Sequence, residues 1–365
     1  MLRRTAPRGH LMRLFVAACV CALLLFGYDS RPAGPPPDAV TVRAAARGDT
    51  HPADGLGGSA DQSDAGTSAT ATELASRSVR TITRDAVPLN PLPWASAPVR
   101  KAGAQPAPQP SALSAFVLDE PSGAALFELD PNRELAPASL TKIATAIVVL
   151  RNGGLDEEAT SDVDGWLMRG STTMGLYSGD RINRRDLLYG LLLPSGNDAA
   201  LVLARSIAGS DDAFVGRMND LVHELGLEHT FFTTPHGLGR GGYSSAHDLA
   251  ILARHAMQSP DFAKIVQTES WRVSGTRTYD VHNVNSFLFN YPGADGVKTG
   301  YTTSAGRTIV ASAMRDGHRL YAVLLNDQAL YTDAYALLDW AFASYSWDTT
   351  VASPVAAQPS SAGTP

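Results

Sequence analysis

Cysteine is nearly missing from this chain of 365 residues: there are two, Cys19 and Cys21, both inside an apolar run near the N-terminus. Everything after residue 21 therefore lacks the material for a disulfide framework, a thiolate zinc site or a cysteine nucleophile. Lysine is scarce as well. Of the 30 Lys and Arg residues, four are lysine, at 101, 142, 264 and 298, so a chain that writes arginine nearly everywhere has kept lysine at these positions. The net charge of −6 gives no electrostatic ground for nucleic-acid binding. A full membrane span takes about 20 apolar residues, and the apolar run Leu14 to Tyr28 falls short of that. Hydrophobic residues make up 44%, which suits a globular enzyme and not a disordered protein. No internal repeat is visible.

What is present divides the chain into four parts. Residues 1–28 carry Arg3, Arg4, Arg8 and Arg13 with no acid, then the apolar run, which reads as a signal peptide or signal anchor. The first Ala-x-Ala site, Ala44 to Ala46, is distant, which favours an uncleaved anchor. Basic residues at the start place the rest outside the cytoplasm, membrane-anchored by this segment or secreted to the cell envelope. Residues 29–111, with PAGPPP and QPAPQP, have the composition of a largely disordered linker, within which Leu89, Leu92 and Trp94 mark a stretch able to dock locally. Residues 112–345 are the expected folded unit, and 346–365 a disordered tail.

Within the folded unit, residues 115–119 and 124–129 read as strands around a Glu-Pro-Ser-Gly turn. Helical patterns cover 139–152, 184–193, 198–208, 211–225, 245–258 and 333–345, with strands at 297–301, 307–314 and 320–325. Strands at both ends and helices between predict an α/β (α+β) unit. Its largely antiparallel sheet comes from the N- and C-terminal strands, with flanking helices and an inserted, mostly helical subdomain.

The chemistry concentrates in three short motifs. In Ser139-Leu140-Thr141-Lys142 the helix is expected to start near Ser139, just after Pro137, and to stop at Gly153 and Gly154. Residues three apart share a helix face, so Ser139 and Lys142 are neighbours, with the serine at the positive end. A hydroxyl needs a base to become a nucleophile, and a lysine serves only when burial or a nearby cation keeps it neutral. Alone, the pair also fits a serine N-cap followed by a surface lysine. Ser195-Gly196-Asn197, between two helices after Pro194, is alone a turn. Lys298-Thr299-Gly300 is alone a strand end. Together and in this order they match the S-x-x-K, S-x-N and K-T-G set of penicillin-binding proteins and class A β-lactamases.

PASLTK, LLLPSGNDAALVLA, FVGRMN at 214–219, LGLEHTFFTTPHGL at 225–238 and DGVKTGYTTSAGRTIVASA at 295–313 resemble the D-alanyl-D-alanine carboxypeptidase family, the low-molecular-mass penicillin-binding serine peptidases. The resemblance covers about residues 112–345. It implies a β-lactamase/transpeptidase-like fold and removal of the terminal D-alanine from peptidoglycan stem peptides, with β-lactams as acylating inhibitors and no cofactor or metal. It assigns Ser139 as nucleophile and Lys142 as its base, kept neutral with help from the charge of Lys298. Ser195 becomes the proton relay to the leaving D-alanine, and Asn197 binds substrate or orients Lys142. Lys298 and Thr299 hold the terminal carboxylate, Gly300 continues the substrate-binding strand, and the N–H groups of Ser139 and Tyr301 form the oxyanion hole. Many relatives add a second β domain and a C-terminal amphipathic anchor. Neither shows in this sequence, and the N-terminal segment with its linker is the expected substitute.

Two other readings use the same residues. A β-lactamase has Asp in the middle of the second motif, where Gly196 stands, and deacylates with a glutamate for which the sequence offers no evident candidate. A non-catalytic or slow penicillin-binding sensor would keep the motifs without turnover. Elsewhere, His223-Glu224 with His229 superficially suggests a zinc helix, but Leu227 occupies the required second His position. His236 is expected to be structural near the site. His282, Asn283 and Asn285 are expected in a loop before the K-T-G strand, and Trp166, Trp271 and Trp340 in packing.

Overall fold

The structure, a computed structural model, describes residues 96–168 and 170–347. The expected export segment, the linker as far as residue 95 and the tail after 347 lie outside the described residues. The chain opens with the short strand β1 (Val99–Arg100), then β2 (Ser114–Asp119) and β3 (Ala125–Leu129), an antiparallel hairpin across the expected turn. A turn of 3-10 helix (Ala138–Thr141) leads into α1 (Lys142–Asn152), which ends at Gly153 with φ 72°. Strands β4 (Glu158–Thr160) and β5 (Arg181–Asn183) pair at the base of a long loop. Helices α2 (Arg184–Leu192), α3 (Asn197–Ala208), α4 (Asp211–Glu224), α5 (Ala246–Met257) and α6 (Pro260–Gln267) follow. A second small hairpin, β6 (Ser270–Val273) with β7 (Tyr279–His282), precedes α7 (Ser286–Asn290). The chain then runs through β8 (Ala294–Thr302), β9 (Gly306–Arg315) and β10 (His318–Asp327) to α8 (Leu330–Ser344) and β11 (Tyr345–Ser346). Among the described residues no helix is long and apolar enough to cross a membrane.

The central sheet has the order β3-β2-β10-β9-β8, antiparallel throughout, so the strands near the two ends of the folded unit do share one sheet. Its strands are apolar on both faces, and the two-residue period sorts them. Ala115 and Val117 of β2, Ile309 and Ala311 of β9, and Leu320, Ala322 and Leu324 of β10 face α8, packing with Leu337, Leu338 and Ala341. Phe116, Leu118, Val310, Tyr321 and Val323 face the other way, into a core shared with α1 and α5. Helix α1 is buried along nearly its whole length, from Lys142 to Val149, which is the pattern of a central helix with no solvent face. That burial is what puts a lysine in the interior. Side-chain caps start α2 at Asn183, α4 at Ser210, α5 at Ser245 and α6 at Ser259, each worth about 1 kcal/mol.

Three expectations need correction. Residues 96–111 are not free linker: β1 pairs with β11, and Trp340 donates to the carbonyl of Gln105 at 2.9 Å. The start of the lead helix is a 3-10 turn, because Ala138 sits at φ 51° and the α-helical ladder begins only at Lys142. Trp166 is 55% exposed and not packing, while Trp271 stacks on Tyr189 and Trp340 meets Phe127 edge-on.

Candidate active site

The side chain of Lys142 has no solvent exposure, and three oxygens surround its amine. Ser139 Oγ lies 3.0 Å away, Asn197 Oδ1 2.6 Å and the carbonyl of His236 3.0 Å. A neutral amine has two N–H donors and one lone pair. Asn197 Oδ1 and the His236 carbonyl can only accept. They take both donors and leave the lone pair for the Ser139 hydroxyl. Burial, and after it the charge of Lys298, lowers the Lys142 amine well below its ordinary value, against an opposing pull from Asp198. Neither the 3-10 turn nor α1 has a side-chain cap, so the Ser139 hydroxyl is not spent on capping.

The second motif reaches the site through an unusual backbone. Ser195 has φ 65°, a left-handed conformation that costs a residue with a β-carbon about 1–2 kcal/mol. Its hydroxyl is buried and makes no hydrogen bond among the described residues. The structure thus joins Ser139, Lys142 and Asn197 by hydrogen bonds and does not bond Ser195 to any of them.

The third motif lies along β8. Lys298 is 2% exposed and donates to the carbonyl of Thr299 at 2.8 Å; burial pushes its amine down to about 7. Gly300 faces the nucleophile. A β-carbon there would stand 2.6 Å from Thr308 Oγ1 and 3.0 Å from the Ser139 nitrogen, so a side chain would not fit between strand and helix start. Thr299 is half-buried and Tyr301 is 67% exposed at the rim.

The site is also built by residues outside the three motifs, of which the sequence singled out His236, Asn283 and Asn285 but not Thr145, Asn219, Gly237 or Asp198. The loop 230–238 carries the His236 carbonyl, and three side chains hold it. Asn219 of α4 both donates to the carbonyl and accepts from the N–H of Phe232, each at 2.9 Å. Thr145 of α1 donates to the carbonyl of Pro235 at 2.5 Å. His236 accepts from the N–H of Leu238 at 3.0 Å through Nδ1. Burial above all pushes its imidazole down to about 4, so the ring is neutral at pH 7. Gly237, at φ 83°, touches the lead turn so closely that a β-carbon would fall 1.9 Å from the Ala138 carbonyl. Asp198 follows Asn197 and is fully buried. Its position directly after the S-x-N element was the one available signal, whereas a carbonyl acceptor such as that of His236 leaves no mark in a sequence. Asn283 donates to the carbonyls of Val266 and Thr268, and Asn285 caps α7, so both organise the loop before β8. Among the described residues no group of three His, Cys, Asp or Glu could hold a metal ion.

Comparison with known proteins gives a consistent result. A family model described as D-alanyl-D-alanine carboxypeptidase matches residues 101–329. The chain is 39% identical over 260 residues to D-alanyl-D-alanine carboxypeptidase DacB2 of Mycobacterium tuberculosis, covering 68% of this chain and 89% of that one. It is 34% identical over 246 residues to D-alanyl-D-alanine carboxypeptidase DacF of Bacillus subtilis, covering 64% of this chain and 63% of the relative, so it spans less than two thirds of that protein. Among solved structures, the Streptomyces K15 DD-transpeptidase is similar with a TM-score of 0.61 and 31% identity, over 66% of this chain and all (100%) of that one.

Proposed function

This chain belongs to the D-alanyl-D-alanine carboxypeptidase family, and from that premise we propose a serine-type D-Ala-D-Ala carboxypeptidase that trims peptidoglycan stem peptides through an acyl-enzyme on Ser139. The observation that carries this reading is the buried Lys142 amine, 3.0 Å from Ser139 Oγ and held by two acceptors. Ser139 Oγ attacks the carbonyl between the two D-alanines as Lys142 takes its proton. The oxyanion forms between the N–H groups of Ser139 and Tyr301, where the close approach of Gly300 to the helix start supports such a hole. Ser195, whose hydroxyl has no partner among the described residues, passes a proton to the departing D-alanine amine. Lys298 and Thr299 bind the terminal carboxylate, and water then cleaves the ester and frees Ser139. The substrate is a wall polymer, so the domain works outside the cytoplasm, and residues 1–28 with the following linker would tether it to the membrane. β-Lactams would acylate the same serine.

The test follows D-alanine released from diacetyl-L-lysyl-D-alanyl-D-alanine, beside a Ser139→Ala control. Release that the control abolishes is the expected result. Labelling of Ser139 by fluorescent penicillin without any release would replace the carboxypeptidase by the sensor, and rapid turnover of the penicillin itself would replace it by the β-lactamase.

A further inference from the structure

We infer that Thr172 is a positioning residue that locks the Ser195-Gly196-Asn197 turn in its working conformation; the inference rests on the reading of Ser195 as the group that protonates the leaving amine. Thr172 lies in the long loop between β4 and β5, outside all three motifs. Its hydroxyl donates to the Ser195 carbonyl at 2.7 Å, and its own carbonyl accepts from the Asn197 N–H at 2.9 Å. One residue thus grips the turn on both sides of Gly196. From below, the Gly196 N–H donates to the Gly190 carbonyl at 3.0 Å, and a β-carbon on Gly196 would stand only 2.6 Å from that oxygen.

Two features make this grip matter. Among the described residues the buried Ser195 hydroxyl has no protein partner, so no hydrogen bond of its own aims it, and its reach depends on where the backbone places its β-carbon. That backbone is held at φ 65°, and relaxing it would swing the carbonyl that Thr172 holds. The stretch that follows Thr172 is itself tied down. The Asp198 carboxylate accepts from the N–H groups of Met174, Gly175 and Leu176 at 2.9, 2.8 and 2.9 Å. Gly165 packs so closely on it that a β-carbon would fall 2.5 Å from Asp198 Oδ2. Asp198 begins where Asn197 ends, so turn and loop are clamped to each other twice within a few residues.

The experiment is a double-mutant cycle in the full chain. Thr172→Val and Thr172→Ser are made with Ser195 intact and in a Ser195→Ala background. The readouts are the second-order rate of Ser139 acylation by fluorescent penicillin, kcat and KM for D-alanine release, and the urea midpoint. With Ser195 present, Thr172→Val slows acylation about tenfold or more, since small misplacements of a reacting group carry costs on that scale. In the Ser195→Ala background it slows it by less than about twofold, because effects routed through one partner do not add. KM stays within about twofold while kcat falls. Thr172→Ser, which keeps the hydroxyl, stays within about threefold of the parent. Equal slowing in both backgrounds overturns the inference, as does a serine variant as slow as valine or a valine variant as fast as the parent. Should the valine variant unfold, Thr172→Ala reads the same cycle. The penicillin readout decides the role of Thr172 even if the unmodified protein releases no D-alanine.

Discussion

At the scale of single residues, two buried lysines must hold opposite charge states for the site to act. Lys142 has to be neutral and Lys298 cationic, and both amines are lowered by burial, with the charge of Lys298 adding to the shift at Lys142. The amine of Lys298 is pushed to about 7, so raising the pH through that value removes the cation that binds the substrate carboxylate. kcat/KM, which reports ionisations of the free enzyme, is therefore expected to fall on the alkaline side of about pH 7. Lys298→Arg keeps its charge at every accessible pH, so that limb should vanish in the variant even if the rate is lower overall. A parent profile flat from pH 6 to 10, or an unchanged limb in the arginine variant, would remove Lys298 as its source. Stability follows the same group. Its folded pKa is lowered, so between about 7 and the ordinary lysine value of 10.5 the unfolded chain binds more protons, and stability from this residue rises with pH across that window. Below 7 the contribution is flat.

At the scale of elements, the loop 230–238 behaves as an extension of α1 and α4. Asn219 and Thr145 hold it at two points, and its product is one correctly placed carbonyl, that of His236. Asn219→Ala leaves the N–H and carbonyl of Phe232 without their partner and should cost about 1–3 kcal/mol in urea unfolding. It should also slow penicillin labelling of Ser139, because the second acceptor on Lys142 is no longer fixed. Lost stability with an unchanged labelling rate would show that Thr145 alone suffices. The same loop marks the limit of what the sequence reveals. Ser139, Lys142, Asn197 and Lys298 were readable because their side-chain chemistry is required, and three short motifs carry it. The His236 carbonyl and the left-handed backbone at Ala138 and Ser195 were not, since backbone groups are common to all residue types. Among the elements, α3, α4 and α5 were legible because apolar residues recur at helical spacing over three turns or more. The hairpin of β6 and β7 was not. Each of its strands has four residues and a mostly exposed face, too short for a period to register.

At the scale of the whole molecule, the sheet separates two jobs. Its inner face meets α1 and the site, and its outer face is covered by α8. Besides its packing on the sheet, α8 is met by the segment 96–111, whose Pro- and Ala-rich sequence reads as linker because it offers almost no large apolar side chain. It docks through polar groups instead. Lys101 donates its backbone N–H to the Ser344 carbonyl at 2.8 Å, and the Trp340 indole reaches the carbonyl of Gln105. At the other end of α8 the N-cap position is Ala329, which offers no side-chain acceptor. Ser111 braces the turn that enters the helix: its Oγ accepts from the N–H groups of Gln328 and Ala329 at 3.1 Å each, and its own N–H donates to Asp333 Oδ2 at 2.7 Å. A chain shortened to residues 112–347 loses the Ser111 brace and the bonds to Ser344 and Trp340, several hydrogen bonds worth about 1 kcal/mol each. Relative to 96–347 it should be less stable by about 2–4 kcal/mol, read as a lower urea midpoint. Penicillin labelling per folded molecule should be unchanged, because α8 lies across the sheet from Ser139. Equal midpoints would mean that residues 96–111 rest on α8 without holding it, and would restore the linker reading for that stretch. A loss of labelling at full folding would mean instead that the two faces of the sheet are coupled.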